Sequence, residues 1–115
     1  MTNSRNKGAR GEREFRDELK KHGFCAHRGQ QYKGGNDSPD VDGHGLPIHF
    51  EVKFEGRHDL RGAYLQARSD CGGNMPVVAH RLIRRGLLSE PWMITLSVDD
   101  FLHIVKEAHL TTVQK

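Results

Sequence analysis

Two carboxylates and a lysine near the middle of the chain have the types and spacing for chemistry: Asp40, preceded by Pro39, and Glu51-Val52-Lys53. Side chains along a strand alternate between faces. Applied to residues 48–55, this puts Ile48, Phe50, Val52 and Phe54 on one apolar face. His49, Glu51, Lys53 and Glu55 fall on the other, polar face. Glu51 and Lys53 then stand about 7 Å apart along the strand. Gly43-His44-Gly45 suits a tight turn, and a hairpin folding back there brings Asp40 beside Glu51. Two carboxylates and an ammonium on one sheet face suit a hard divalent cation and the water it activates. Asp42 shares the face of Asp40 and is an alternative ligand. The simpler alternative is an amphipathic hairpin with a solvated polar face.

The elements around this hairpin can be read in order. Residues 1–6 are expected as a loose basic arm. A helix follows from about Lys7 to His22, ended by Gly23. Ala9, Glu12, Phe15 and Leu19 follow helical steps, so Glu12 lies on the core-facing stripe. A carboxylate there needs compensation, by a salt bridge or by a metal site at the sheet edge. Gly8 and Gly11 weaken the first turns, or admit a phosphate backbone. Residues 24–28 read as a strand and residues 29–38 as a polar loop carrying Tyr32 and Lys33.

After the hairpin, Asp59 caps a second helix running to about Asp70. Its apolar stripe is Leu60, Ala63, Tyr64, Ala67 and Cys71, with Gln66 off the stripe and within reach of the site edge. Strands are expected at 76–80 and 92–96, separated by a basic loop. Ser97 caps a last helix, with Asp99 and Asp100 in its first turn and Phe101, Leu102, Ile104, Val105 and Ala108 as its apolar side. The order α-β-β-β-α-β-β-α describes an α/β fold with a mixed central sheet flanked by helices.

Length allows one domain over residues 1–115 and one modest core. The first 33 residues hold nine Lys/Arg against four Asp/Glu, a basic region beside a carboxylate cluster. That combination suits a polyanion that is also a substrate. No 18-residue apolar run predicts a membrane span, and no apolar segment follows the basic start as a secretory signal would require. Two cysteines, Cys25 and Cys71, give no disulfide framework, which points to a reducing cytoplasm.

The pattern Pro39-Asp40 … Glu51-Val52-Lys53 resembles the PD-(D/E)xK nuclease superfamily signature, and the expected element order resembles that superfamily's restriction-endonuclease-like core. Lys7-Gly8-Ala9-Arg10-Gly11-Glu12-Arg13-Glu14, then His22-Gly23-Phe24 and Arg28, is similar to the start of archaeal-type Holliday junction resolvases and related phage nucleases. This closer resemblance spans about the first half of the chain; the second half is similar in element order only.

The resemblance implies a metal-dependent endonuclease acting on DNA, branched DNA such as Holliday junctions above all, and working as a homodimer. It implies Glu12, Asp40, Glu51 and Lys53 as the catalytic set. Mg²⁺, for which Mn²⁺ can substitute, would be held by Asp40, Glu51 and the Val52 carbonyl, with Glu12 acting directly or through water. The Pro-Asp context favours Asp40 over Asp42. Arg13 and Arg28 match positions that contact phosphate. Arg5, Lys7, Arg10, Lys33 and Gln66 complete the expected DNA surface, with no membrane and no small-molecule cofactor involved.

Two alternatives stand beside this one. The first is an endonuclease of the same chemistry that nicks or cuts ordinary duplex; the second is a non-catalytic DNA-binding module. The clustered acids argue against the second, because binding alone gains nothing from carboxylates facing a polyanion. His22, Cys25, His27 and Cys71 are soft ligands for zinc, but their spacing matches no common zinc motif. A serine hydrolase is unsupported, since no Gly-x-Ser-x-Gly elbow occurs.

Overall fold

Apolar and polar residues alternate over residues 48–54, whereas residues 75–81 carry a continuous buried run, and each face of the sheet is packed against one helix. The computed structural model describes residues 4–29, 39–54, 59–82 and 90–113, with side chains from Gly8 to His109 in those segments. The elements are α1 (Ser4–Lys21), β1 (Ala26–Arg28), β2 (Val41–Gly43), β3 (Ile48–Phe54), α2 (Leu60–Asp70), β4 (Met75–Arg81), β5 (Met93–Thr95) and α3 (Val98–Val113). The strands form one five-stranded mixed sheet in the order β1-β2-β3-β4-β5. β3 and β4 run parallel, and the other neighbours are antiparallel.

α1 packs on the face that carries Phe50 and Val52. Phe15 sits there with Ala26, Val41, Val77 and Ala79 in the main core. Phe15 meets the Phe50 ring edge-on at 5.0 Å and lies 5.1 Å from the Trp92 ring, while Phe54 stacks on Trp92 at 5.8 Å. Gly11 lets the helix backbone lie against Phe54, because a Cβ at Gly11 would collide with the Phe54 side chain. That gives Gly11 a packing role in place of an approach to phosphate. α1 ends as expected at Gly23 (φ 93°). Gly23 N–H donates to the Lys20 carbonyl and Phe24 N–H to the Leu19 carbonyl, each at 3.0 Å, which caps the last turn. Lys20 and Lys21 oppose the negative end of the helix dipole.

α2 covers the other face, where Ala63 and Ala67 are buried small residues. Asp59 caps it by accepting from the Gly62 N–H at 2.9 Å. Val78, fully buried, is the apolar centre of that layer.

Several boundaries differ from expectation. The helix begins at Ser4, so residues 4–6 are helical and do not belong to a loose arm; nothing there breaks a helix. The first strand starts at Ala26, because Phe24 is still engaged in closing α1. The first half of β3's polar face is not solvated: His49 is 2% exposed and Glu51 is buried, while Lys53 is partly exposed. The expected apolar side of the last helix is also uncovered, with residues 101–109 exposed throughout. Ser97 does cap that helix, its Oγ accepting from the Asp100 N–H at 3.0 Å. Tyr32, Lys33 and Glu55 lie outside the described residues, as do the side chains of Arg5 and Lys7.

Candidate functional site

The turn between β2 and β3 closes at Gly43–Leu46, where the Leu46 N–H donates to the Gly43 carbonyl at 2.8 Å and Gly45 takes a positive φ of 83°. Val41 pairs with Phe50, and the Asp40 N–H donates to the Phe50 carbonyl at 2.9 Å. Asp40 therefore sits where β2 leaves β3. Its Oδ2 accepts from the Val52 N–H at 2.9 Å, taking the place a strand neighbour would fill. N–H and C=O of one strand residue leave on the same edge. The Val52 carbonyl is thus directed to the edge where Asp40 stands.

Asp40 and Glu51 are hydrogen-bonded carboxyl groups. Burial, then the neighbouring charge of Glu51, pushes the Asp40 carboxyl up to about 6, against the pull of the Val52 N–H and of Lys53. Burial likewise raises Glu51, opposed by its bond from Asp40 and by Lys53, and reinforced by Asp70 and Glu12. Two neighbouring, partly buried carboxyls resist carrying both negative charges at once, and a cation between them would relieve that repulsion.

Glu12, on α1, acts on Glu51 as a neighbouring charge. It is buried, and Arg28 donates to its Oε1 from both Nε and Nη2 at 3.0 Å. Arg28 is therefore an ion-pair partner of Glu12 as well as a half-exposed cation at the rim. Arg10 is tied to Glu14 (3.4 Å) and lies over the Phe54 ring (5.2 Å), while Arg13 is exposed. Gln66 Nε2 donates to Asp70 Oδ2 at 2.7 Å, and Asp70 in turn brings a ligand atom within 4.8 Å of Glu51. Asp42 turns to His27 at 3.3 Å, so among the described residues it is not drawn into the Asp40–Glu51 pair. His22 pairs with Glu18 at 3.0 Å, and the four soft ligands His22, Cys25, His27 and Cys71 form no metal cluster among the described residues.

Two features escape a reading by motif. Gly29 N–H donates to the Asp40 carbonyl at 2.9 Å, and a Cβ at Gly29 would collide with the Pro39 carbonyl. Gly29 thus sets the backbone path into Asp40. The second is the grouping of His49 and Asp70 with Glu51, their ligand atoms within 4.8 Å of one another. His49 was recognisable as a face-mate of Glu51; Asp70 was not, because no local pattern says where a helix end will land.

No family model, curated protein or solved structure matches this chain. Its description therefore rests on its own residues: an α/β fold with a mixed sheet between helices and a partly buried carboxyl pair at the junction of β2 and β3.

Proposed function

We propose that the chain is a metal-dependent DNA endonuclease of the PD-(D/E)xK type, with a restriction-endonuclease-like core. The observation that carries this reading is the Asp40–Glu51 carboxyl pair with Lys53 on the same strand face. The donor set fits Mg²⁺, because two carboxylates and the Val52 carbonyl are all hard oxygen ligands. Asp40, Glu51 and the Val52 carbonyl would hold the ion, and Glu12 would support it through water. Bound Mg²⁺ would lower the pKa of a coordinated water and polarise the scissile phosphate. Lys53 orients the attacking water and offsets charge building on phosphorus. Arg28 pairs with Glu12 and presents its exposed side to a phosphate, and Arg13 adds a contact from the outer face of α1.

Branched DNA is the favoured substrate, on the strength of the Lys7–Glu14 and His22–Arg28 resemblance. A homodimer supplies the two sites that symmetric cutting of two strands needs. Exposed Met93 and Ile94 on β5, together with Phe101, Leu102, Ile104 and Val105 on α3, offer a surface for it.

The test is cleavage of a four-way junction, a flap and a linear duplex with Mg²⁺ or with EDTA. Mg²⁺-dependent cutting of the junction in preference to duplex is expected. Asp40→Asn and Glu51→Gln should each abolish cutting while leaving DNA binding equal or tighter, since each removes a repulsion against phosphate. Near wild-type cleavage by either variant would refute the assignment.

A further inference from the structure

We propose that His49, Glu51 and Asp70 form a mixed nitrogen–oxygen site for a divalent first-row transition metal ion, on the α2 side of Glu51. One imidazole nitrogen and two carboxylate oxygens lie within 4.8 Å of one another, close enough to converge on a single ion.

The placement follows from the fold. His49 and Glu51 are two residues apart on β3 and share the face covered by α2. Ala63 and Ala67 keep that helix close to the sheet. α2 ends at Asp70, and β4 resumes at Met75, which pairs with Ile48. The last turn of α2 is therefore returned to the start of β3, over His49 and Glu51.

Three independent features favour a cation there. His49 is 2% exposed, and its Nε2 is directed at Glu51 Oε1, 3.3 Å away, so the ring is fixed in the cluster and not spread on the surface. Asp70 occupies the C-terminal turn of a helix, where the dipole disfavours negative charge and favours a cation. Asp70 also repels Glu51, and Gln66 holds the Asp70 carboxylate from outside at 2.7 Å. Such an outer hydrogen bond orients a ligating carboxylate.

The nitrogen ligand sets the metal class. Imidazole suits Zn²⁺, Fe²⁺, Ni²⁺ and Cu²⁺ and carboxylate suits Mn²⁺, so the mixed set takes first-row divalent ions, whereas Mg²⁺ and Ca²⁺ prefer all-oxygen sets. This site differs from the one proposed for Mg²⁺, which uses Asp40 and the Val52 carbonyl; Glu51 lies between the two. The inference does not depend on the nuclease reading, since it asks only that three ligand atoms close on an ion.

The probe is Mn²⁺, titrated into the full metal-free chain and followed by electron paramagnetic resonance, with spin-echo modulation reporting coordinated nitrogen. Wild type should bind Mn²⁺ with a nitrogen signature of one histidine. His49→Gln should remove that signature. Asp70→Asn, at a partly exposed helix end, should retain the fold by circular dichroism. Losing even a partner that orients a ligand costs about 10–100-fold in affinity, so Asp70→Asn should weaken Mn²⁺ at least tenfold. Asp40→Asn should keep the nitrogen signature whatever it does to cleavage, which separates this inference from the nuclease reading. Mn²⁺ bound without nitrogen coupling, or with affinity unchanged in Asp70→Asn, would overturn the proposal. So would the absence of Mn²⁺ binding. If His49→Gln fails to fold, Asp70→Asn is placed in the Asp40→Asn background, which removes the other site proposed above, and an unchanged nitrogen signature and affinity there would overturn the proposal.

Discussion

Burial and neighbouring negative charge raise both carboxyls of the Asp40–Glu51 pair, and this has a measurable consequence. Asp40 carries a pKa pushed up from 3.8 to about 6, chiefly by burial and then by Glu51. A raised carboxyl pKa means that the folded chain binds the proton more tightly than the unfolded chain. Its stabilising contribution is fully present below pH 3.8 and is lost as pH rises through about 6. In the metal-free protein, Asp40→Asn should therefore be more stable than wild type above pH 6, by at most about 3 kcal/mol. The gap should close as pH falls to about 4, because the amide of the Asp40→Asn variant keeps an acceptor for the Val52 N–H and adds no charge. Thermal unfolding of both chains from pH 4 to 7.5 checks this, and a gap that does not change with pH would contradict it. Added Mg²⁺ should stabilise wild type and leave the variant nearly unchanged.

Between elements, the decisive contact is the close approach of β1's end to the start of β2. Gly29 and Pro39–Asp40 touch backbone to backbone, with no room for a side chain. Gly29→Ala should push Asp40 away from Val52 and Glu51. A shift of about 1 Å in a catalytic group costs on the order of 100-fold in rate. The fold should lose at least about 1–3 kcal/mol, the usual cost of overpacking, since the obstacle is backbone. Cleavage rate and denaturant midpoint measured together test this, and unchanged cleavage with a lowered midpoint would remove Gly29 from the positioning of Asp40. This contact also marks where sequence stops being legible. Period-2 alternation revealed both faces of β3 and the pairing of Asp40 with Glu51, because register and pleat are local properties. Gly23, Asp59 and Ser97 were readable as caps for the same reason. The burial of His49, the packing role of Gly11 and the arrival of Asp70 depend on how helices lie across the sheet, and no short window encodes that.

At the scale of the whole molecule, the two helices on the sheet and the third helix behave differently. α1 and α2 bury their apolar stripes, whereas α3 leaves Val98, Phe101, Leu102 and Val105 exposed at helical spacings of three and four. Among the described residues, nothing covers this stripe. Burying one such side chain is worth about 1.5–3 kcal/mol, so a helix surface of this kind favours association of chains. The homodimer proposed for symmetric cutting would use it, joined by Met93 and Ile94 on the edge strand β5. Replacing Phe101 and Val105 by aspartate together should raise the dimer dissociation constant by at least about 100-fold, the equivalent of losing one well-buried side chain's worth of transfer energy. The double variant should retain the circular dichroism of wild type, because neither side chain belongs to the core around Phe15 and Phe50. It should bind Mn²⁺ as before and cut one strand of a junction without coupling to the second. Sedimentation velocity across a concentration series provides the measurement. A wild type that stays monomeric at high concentration, or a double variant that dimerises as tightly as wild type, would leave α3 without this role.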